Sequence, residues 1–80
     1  MDIKVIGMGC DNCTRMYQNT VKAMQQLGIP GEPEKVEDLV EIVKLGVLAA
    51  PGLMADGRLL MSGRVAGVPE IVKFLKKVQA

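Results

Sequence analysis

The sequence predicts an α/β fold of order β-α-β-α-β-β-α, a four-stranded mixed sheet covered by helices. Three observations carry this expectation. An alternating run at Ile3 to Ile6 hands over to apolar residues at helical spacing between Asn12 and Leu27. An Asp56-Gly57 dipeptide sits between two β-like runs. A last apolar stripe follows Pro69.

Residues Asp2 to Ile6 read as the first strand, with Ile3 and Val5 on one face and Lys4 and Ile6 on the other. Gly7, Met8 and Gly9 then form a turn. The first helix runs from about Asn12 to Leu27, with Cys13, Tyr17, Val21, Met24 and Leu27 as its expected buried stripe, and Gly28 is its natural stop. In IPGEPEKV, two prolines and a glycine within five positions exclude a long central strand and leave room for a short edge strand at Glu34 to Val36.

Glu37 and Asp38 open a second helix, with the acids at its positive end and Lys44 near its negative end. Its expected buried face is Leu39, Val40, Val43 and Val47, and Gly46 is its stop. After Pro51, GLMA and RLLM flank Asp56-Gly57, which suits a type I′ turn, so Gly52 to Met61 reads as a hairpin. Gly63 marks its end or a bulge. Pro69 at the first helical position, then Glu70 and the stripe Ile71, Phe74, Leu75 and Val78, predicts a final helix ending in Lys73, Lys76 and Lys77. The first β-α-β unit should cross over right-handed, with its two strands parallel.

Composition narrows the function classes. Eighty residues make a single domain, residues 1–80, near the lower size limit for folding without metal or multiple disulfides. With one Phe, one Tyr and no Trp the core must be aliphatic, and most of the six methionines read as core filler. A formal charge of +1 and the lack of stacking aromatics argue against nucleic-acid binding. The longest apolar run, Leu45 to Ala55, falls short of the ~20 residues of a membrane span and is broken by Gly46, Pro51 and Gly52. The start, MDIKVIG, lacks the apolar segment of a secretory signal, so a cytoplasmic location is expected.

The two cysteines, Cys10 and Cys13, are too few for a disulfide-stapled scaffold. A bridge between them closes a loop of four residues and stabilises by roughly 2 kcal/mol at most, a weak staple that opens and closes without disturbing the fold. Their positions suggest different roles. Cys13 lies on the helix stripe and should point inward, whereas Cys10 precedes the first turn, where unpaired N–H groups favour a thiolate. Cys10 is then the attacking nucleophile and Cys13 the resolving thiol. Lowering a thiol pKa from ~8.5 to ~7 takes about 2 kcal/mol, of which a helix N-terminus supplies ~0.3 to 1. Asp11 opposes the shift, and Arg15, one turn on, assists it if it reaches the sulfur.

Cys-x-x-Cys also serves metals. GMGCDNC resembles the motif of heavy-metal-associated domains, in which two thiolates hold Cu(I) on a β-α-β-β-α-β frame. That frame needs a hairpin directly after the first helix, where this chain has a Pro-broken segment and a second helix. Zinc is a weaker candidate, because a closed site wants four ligands and the chain offers two Cys and no His.

The whole chain, from GCDNC through a Tyr-bearing helix, KVED, a second helix, VLAAPGLMADGRLLMSGRV and the final helix, is similar to the small thioredoxin/glutaredoxin-like redox-active disulfide proteins of archaea and bacteria. This resemblance implies a thioredoxin-like fold in a minimal, glutaredoxin-like form. It further implies that Pro51 is cis and lies against the dithiol, and that Ala50, where many relatives carry Thr or Ser, offers backbone groups to a substrate. Met8 and Gly9 stand in place of the familiar Trp ahead of the motif, and Met8 flanks Cys10 as a substrate contact. The function implied is thiol-disulfide exchange by a monomer with a disulfide-containing protein or small molecule. The cofactor is then the Cys10-Cys13 dithiol itself, with electrons from an external reductase and no metal. A Cu(I) carrier using both thiolates, and an adaptor whose disulfide gates binding, remain as alternatives.

Overall fold

The computed structural model describes residues 1–7, 11–47 and 49–79. In chain order the elements are β1 (Ile3–Ile6), α1 (Asp11–Leu27), β2 (Glu34–Val36), α2 (Leu39–Lys44), β3 (Gly52–Ala55), β4 (Arg58–Ser62) and α3 (Val68–Gln79). The expected order is therefore present. The sheet runs β2-β1-β3-β4: β1 and β2 are parallel, with Lys4 opposite Glu34 and Ile6 opposite Val36, and the other neighbours are antiparallel. Right-handed twist and a helical crossover make this parallel pairing of β1 and β2 the favoured one.

Each face of β1 buries a different set of side chains. Ile3 and Val5 join Met16, Ala23 and Met24 of α1, Leu53 and Ala55 of β3, and Ile71 and Leu75 of α3 in the main core. Ile6 points the other way, to Val36, Ile42, Val47 and Met54, a smaller core that α2 covers. Helices α1 and α3 thus pack together on one side of the sheet, and short α2 lies on the other. Met16, Met24 and Met54 are buried, as core filler should be.

The element ends follow local chemistry. Asp38 caps α2, its carboxylate accepting the Val40 N–H at 2.9 Å. Asp56 and Gly57 both adopt positive φ, 52° and 81°, as a type I′ hairpin turn requires. A register shift between Leu53 and Met54 leaves Leu60 as the extra residue of a bulge in β4, so Gly63, with φ of 88°, marks the end of the hairpin and not the bulge. Pro69 is the second residue of α3, not the first, because the helix begins at Val68.

Two expected helix faces are corrected. On α1 the buried line is Cys13, Met16, Thr20, Ala23 and Met24, while Tyr17, Val21 and Leu27 lie half-buried along its margin. The helix is wedged between the sheet and α3, and the tightest strip takes small and unbranched side chains. Thr20 is tolerated there because its hydroxyl donates to the Met16 carbonyl at 2.7 Å. On α2 the correction is larger: Leu39, Val40 and Val43 are 58%, 60% and 64% exposed, and Ile42 is the residue that packs inward, with Val47 beyond the helix. One turn and a half of helix over a narrow sheet face has room for a single inward side chain.

Candidate functional site

The site forms where β1 ends and α1 begins. Gly7 continues the parallel pairing, its N–H donating to the Val36 carbonyl at 2.9 Å. Cys13, in the first turn of α1, turns its side chain under the helix and is buried. The Sγ of Cys13 lies so close over Gly7 that a β-carbon there would overlap it, and the Cys13 Cβ would be 3.1 Å from that carbon. The sequence marks Gly7 as the first residue of a turn with Met8 and Gly9. At Gly7 the requirement is close approach, since this glycine is buried and its φ is not in the left-handed region.

The third wall is Ala50. Its Cβ lies 3.6 Å from the same point over Gly7, so Cys13 and Ala50 meet across one glycine. The Ala50-Pro51 peptide bond is cis. Ala50 is exposed and Pro51 is buried, and the Pro51 carbonyl accepts the Gly63 N–H at 3.0 Å, which ties this corner to the end of the hairpin. Gly52 follows inside the sheet, opposite Ile6 and Ser62.

Beside the sulfur, Thr14, Tyr17, Lys35 and Glu37 join Val5, Gly7 and Cys13 around a small cleft. Lys35 lies over the Tyr17 ring, its Nζ 4.7 Å from the centroid, so the edge strand β2 closes the cleft on one side. Lys4 and Glu34, opposite each other in the sheet, form an ion pair at 3.8 Å further along. On the far side of α1, Asn19 donates to the Ala66 carbonyl at 2.9 Å and the Ala66 N–H points to the Met16 sulfur at 3.5 Å. These bonds fix α1 against the loop before α3.

Of the residues singled out from sequence, Cys13, Ala50 and Pro51 come together here. Asp11 opens α1 and Arg15 follows one turn later, both exposed. Met8, Gly9 and Cys10 lie outside the described residues. Gly7, Tyr17, Glu37 and Gly63, which the sequence marked only as turn, helix or hairpin residues, and Lys35, which it did not mark, also border the site. Lys35 and Glu37 reach the cleft through the long-range pairing of β2 with β1, which no local signal encodes.

Known proteins place this arrangement in a family. A family profile described as a thioredoxin domain matches residues 1–76. A thioredoxin of Methanothermobacter thermautotrophicus is 43% identical over 75 residues, covering 94% of this chain and 97% of that one. A thioredoxin of Methanocaldococcus jannaschii is 38% identical over 74 residues, covering 92% and 85%. A solved structure described as that of a malarial protein superposes with a TM-score of 0.66 at 17% identity, over 96% of this chain and 97% of that one, a likeness of fold. The chain belongs to the thioredoxin-domain family, with a thioredoxin-like fold. It is a thioredoxin-like redox protein, and the copper-carrier alternative finds no support among these relatives.

Proposed function

We propose that the protein is a cytoplasmic thiol-disulfide oxidoreductase that acts as a monomer through Cys10 and Cys13. The thiolate of Cys10 attacks one sulfur of a partner disulfide. A Cys10-partner bond forms, the partner S–S bond breaks, and one partner thiolate leaves. Cys13, on giving up its proton, attacks the Cys10 sulfur and displaces the second partner thiolate. Two electrons have then passed from the dithiol to the partner, and the Cys10-Cys13 disulfide is returned to the dithiol by an external reductase.

The observation that carries this reading is the meeting of buried Cys13 with exposed Ala50 over Gly7, in a chain of thioredoxin ancestry. A resolving thiol needs shelter until a mixed disulfide forms beside it, and burial raises the cost of its free thiolate. An exposed backbone corner next to it supports alignment of an extended partner segment. Asp11 and Arg15 on the open side of α1 set the local charge at its first turn, and Met8 and Gly9 flank the nucleophile as partner contacts.

The test is a titration in glutathione and dithiothreitol redox buffers with mass-resolved thiol trapping. The expected result is one two-electron transition, with Cys10 alkylated first and a stable mixed disulfide at Cys10 in Cys13→Ser. Equal trapping of both thiols, or no exchange at neutral pH, overturns the assignment. An adaptor whose disulfide gates binding would show the transition without turnover of a protein disulfide.

A further inference from the structure

Cys13 is buried, and a thiol so placed must hand its proton to a neighbouring group as it becomes a nucleophile. Strand alternation decides which side chains stand near it. Val36 faces the minor core with Ile6, its partner in the parallel register. Its chain neighbours Lys35 and Glu37 therefore turn to the opposite face, toward Val5 and α1. The bond from the Gly7 N–H to the Val36 carbonyl carries the pairing one step past the strand. Glu37 is thus the next residue after the one bonded to the glycine on which the Cys13 sulfur rests.

The cleft that Cys13 and Glu37 share measures about 50 Å³. A water needs on the order of 10–15 Å³ and a few polar partners, so the space accommodates a short water relay. Thr14 and Tyr17 add polar groups to its walls, and Lys35, over the Tyr17 ring, supplies a positive charge. Among the described residues that line it, Glu37 is the one acid. Glu34 pairs with Lys4, and the Asp38 carboxylate caps α2; with Glu41 these border the groove on the other side of Glu37 and not the cleft. Asp11 and Arg15, the charged neighbours of Cys13 on α1, are exposed and lie outside the lining.

We infer that Glu37 is the proton acceptor for Cys13, taking its proton through water in this cleft while the mixed disulfide is resolved. The inference rests on the redox reading above, in which Cys13 displaces the partner from Cys10. As the Cys13 S–H bond breaks, water takes the proton and passes one to the Glu37 carboxylate. The Cys13 sulfur bonds to the Cys10 sulfur, the Cys10-partner bond breaks, and its electron pair leaves on the partner thiolate. From the exposed Glu37 carboxyl the proton then passes to solvent or to that thiolate. When the disulfide is reduced again, the same group returns a proton to Cys13.

The experiment mixes the reduced full chain with glutathione disulfide, quenches in acid at intervals, and separates reduced, mixed-disulfide and closed forms by mass. Attack and resolution are thereby timed separately. Glu37→Gln should slow resolution by at least about fivefold at neutral pH and leave attack unchanged. Glu37 is exposed, so the variant should keep the wild-type amide spectrum. Its deficit should shrink toward alkaline pH, where hydroxide takes the proton, and Glu37→Asp should recover most of the rate. Glu41→Gln removes an equal charge outside the cleft and should resolve as wild type does. A smaller slowing in Glu37→Gln, an equal slowing of both steps, or an equal slowing in Glu41→Gln overturns the inference. So does a deficit that neither Glu37→Asp nor alkaline pH repairs, which would assign Glu37 a packing role. In each of these cases wild type still closes its disulfide, and the redox reading stands. If wild type forms no mixed disulfide at Cys10, or none that Cys13 closes, the redox reading falls and takes this inference with it.

Discussion

The sulfur of Cys13 rests on the Cα of Gly7, with no space for a β-carbon between them. One contact thereby joins the end of β1 to the first turn of α1 and sets the depth at which the cysteine sits. Gly7→Ala should destabilise the fold by ~1–3 kcal/mol through overpacking, measured by urea unfolding. Cys13→Ala should relieve part of that loss in the double variant, because its own Cβ remains close. A coupling of about 1 kcal/mol or more in the double-mutant cycle is expected, and simple additivity would show that the sulfur is not the obstacle.

Gly63 holds the other side of the site. Its φ of 88° is unfavourable for a side chain, and its N–H supports the Pro51 carbonyl. Gly63→Ala should cost ~1–3 kcal/mol and disturb the amides of residues 50–53 more than those of α3. A loss with amide changes confined to residues 64–67 would contradict this linkage.

Thr20 tests how polarity is tolerated in the main core. Its hydroxyl is fully buried and donates to the Met16 carbonyl. Thr20→Val keeps the shape and removes only the hydroxyl, so thermal unfolding should show a change within ~1 kcal/mol of either sign. Thr20→Ala opens space between α1 and the sheet and should destabilise by more than Thr20→Val.

Arg64 and Glu70 pair through both carboxylate oxygens, one at 2.8 Å, across the start of α3. The Arg64 hydrogen bond holds the Glu70 carboxyl below its ordinary value of 4.5, and Glu70 in turn raises the Arg64 guanidinium. A lowered carboxylate pKa adds stability that is complete above the unfolded value and is lost as pH falls through the folded one. The advantage of wild type over Glu70→Gln should thus be present at neutral pH and vanish well below pH 4.5, in parallel acid unfolding curves. For an exposed pair the difference should be small and should shrink with salt. A difference that persists undiminished in strong acid would assign it to packing.

Most of the fold was legible because its signals are local. Alternation at Ile3 to Ile6, the prolines before Glu34, Asp38 at a helix start and Asp56-Gly57 between two strands each act on their nearest neighbours in the chain. The two helix faces were less legible. Thr20 and Ala23 carry little hydrophobic signal yet fill the strip against the sheet, and Leu39, Val40 and Val43 carry a strong one yet face water.

By itself, then, the sequence determined the order of the elements, their ends, and two cysteines three positions apart at a strand-to-helix turn. Tertiary structure alone decided that Cys13 rests on Gly7 and faces Ala50, and that β2 brings Lys35 and Glu37 to the cleft, while the cis Ala50-Pro51 bond matches what the family resemblance implied. The physical reason is range. Turn chemistry and periodicity act over a few residues, whereas close packing couples residues 7, 13 and 50 only after the sheet has assembled in the order β2-β1-β3-β4.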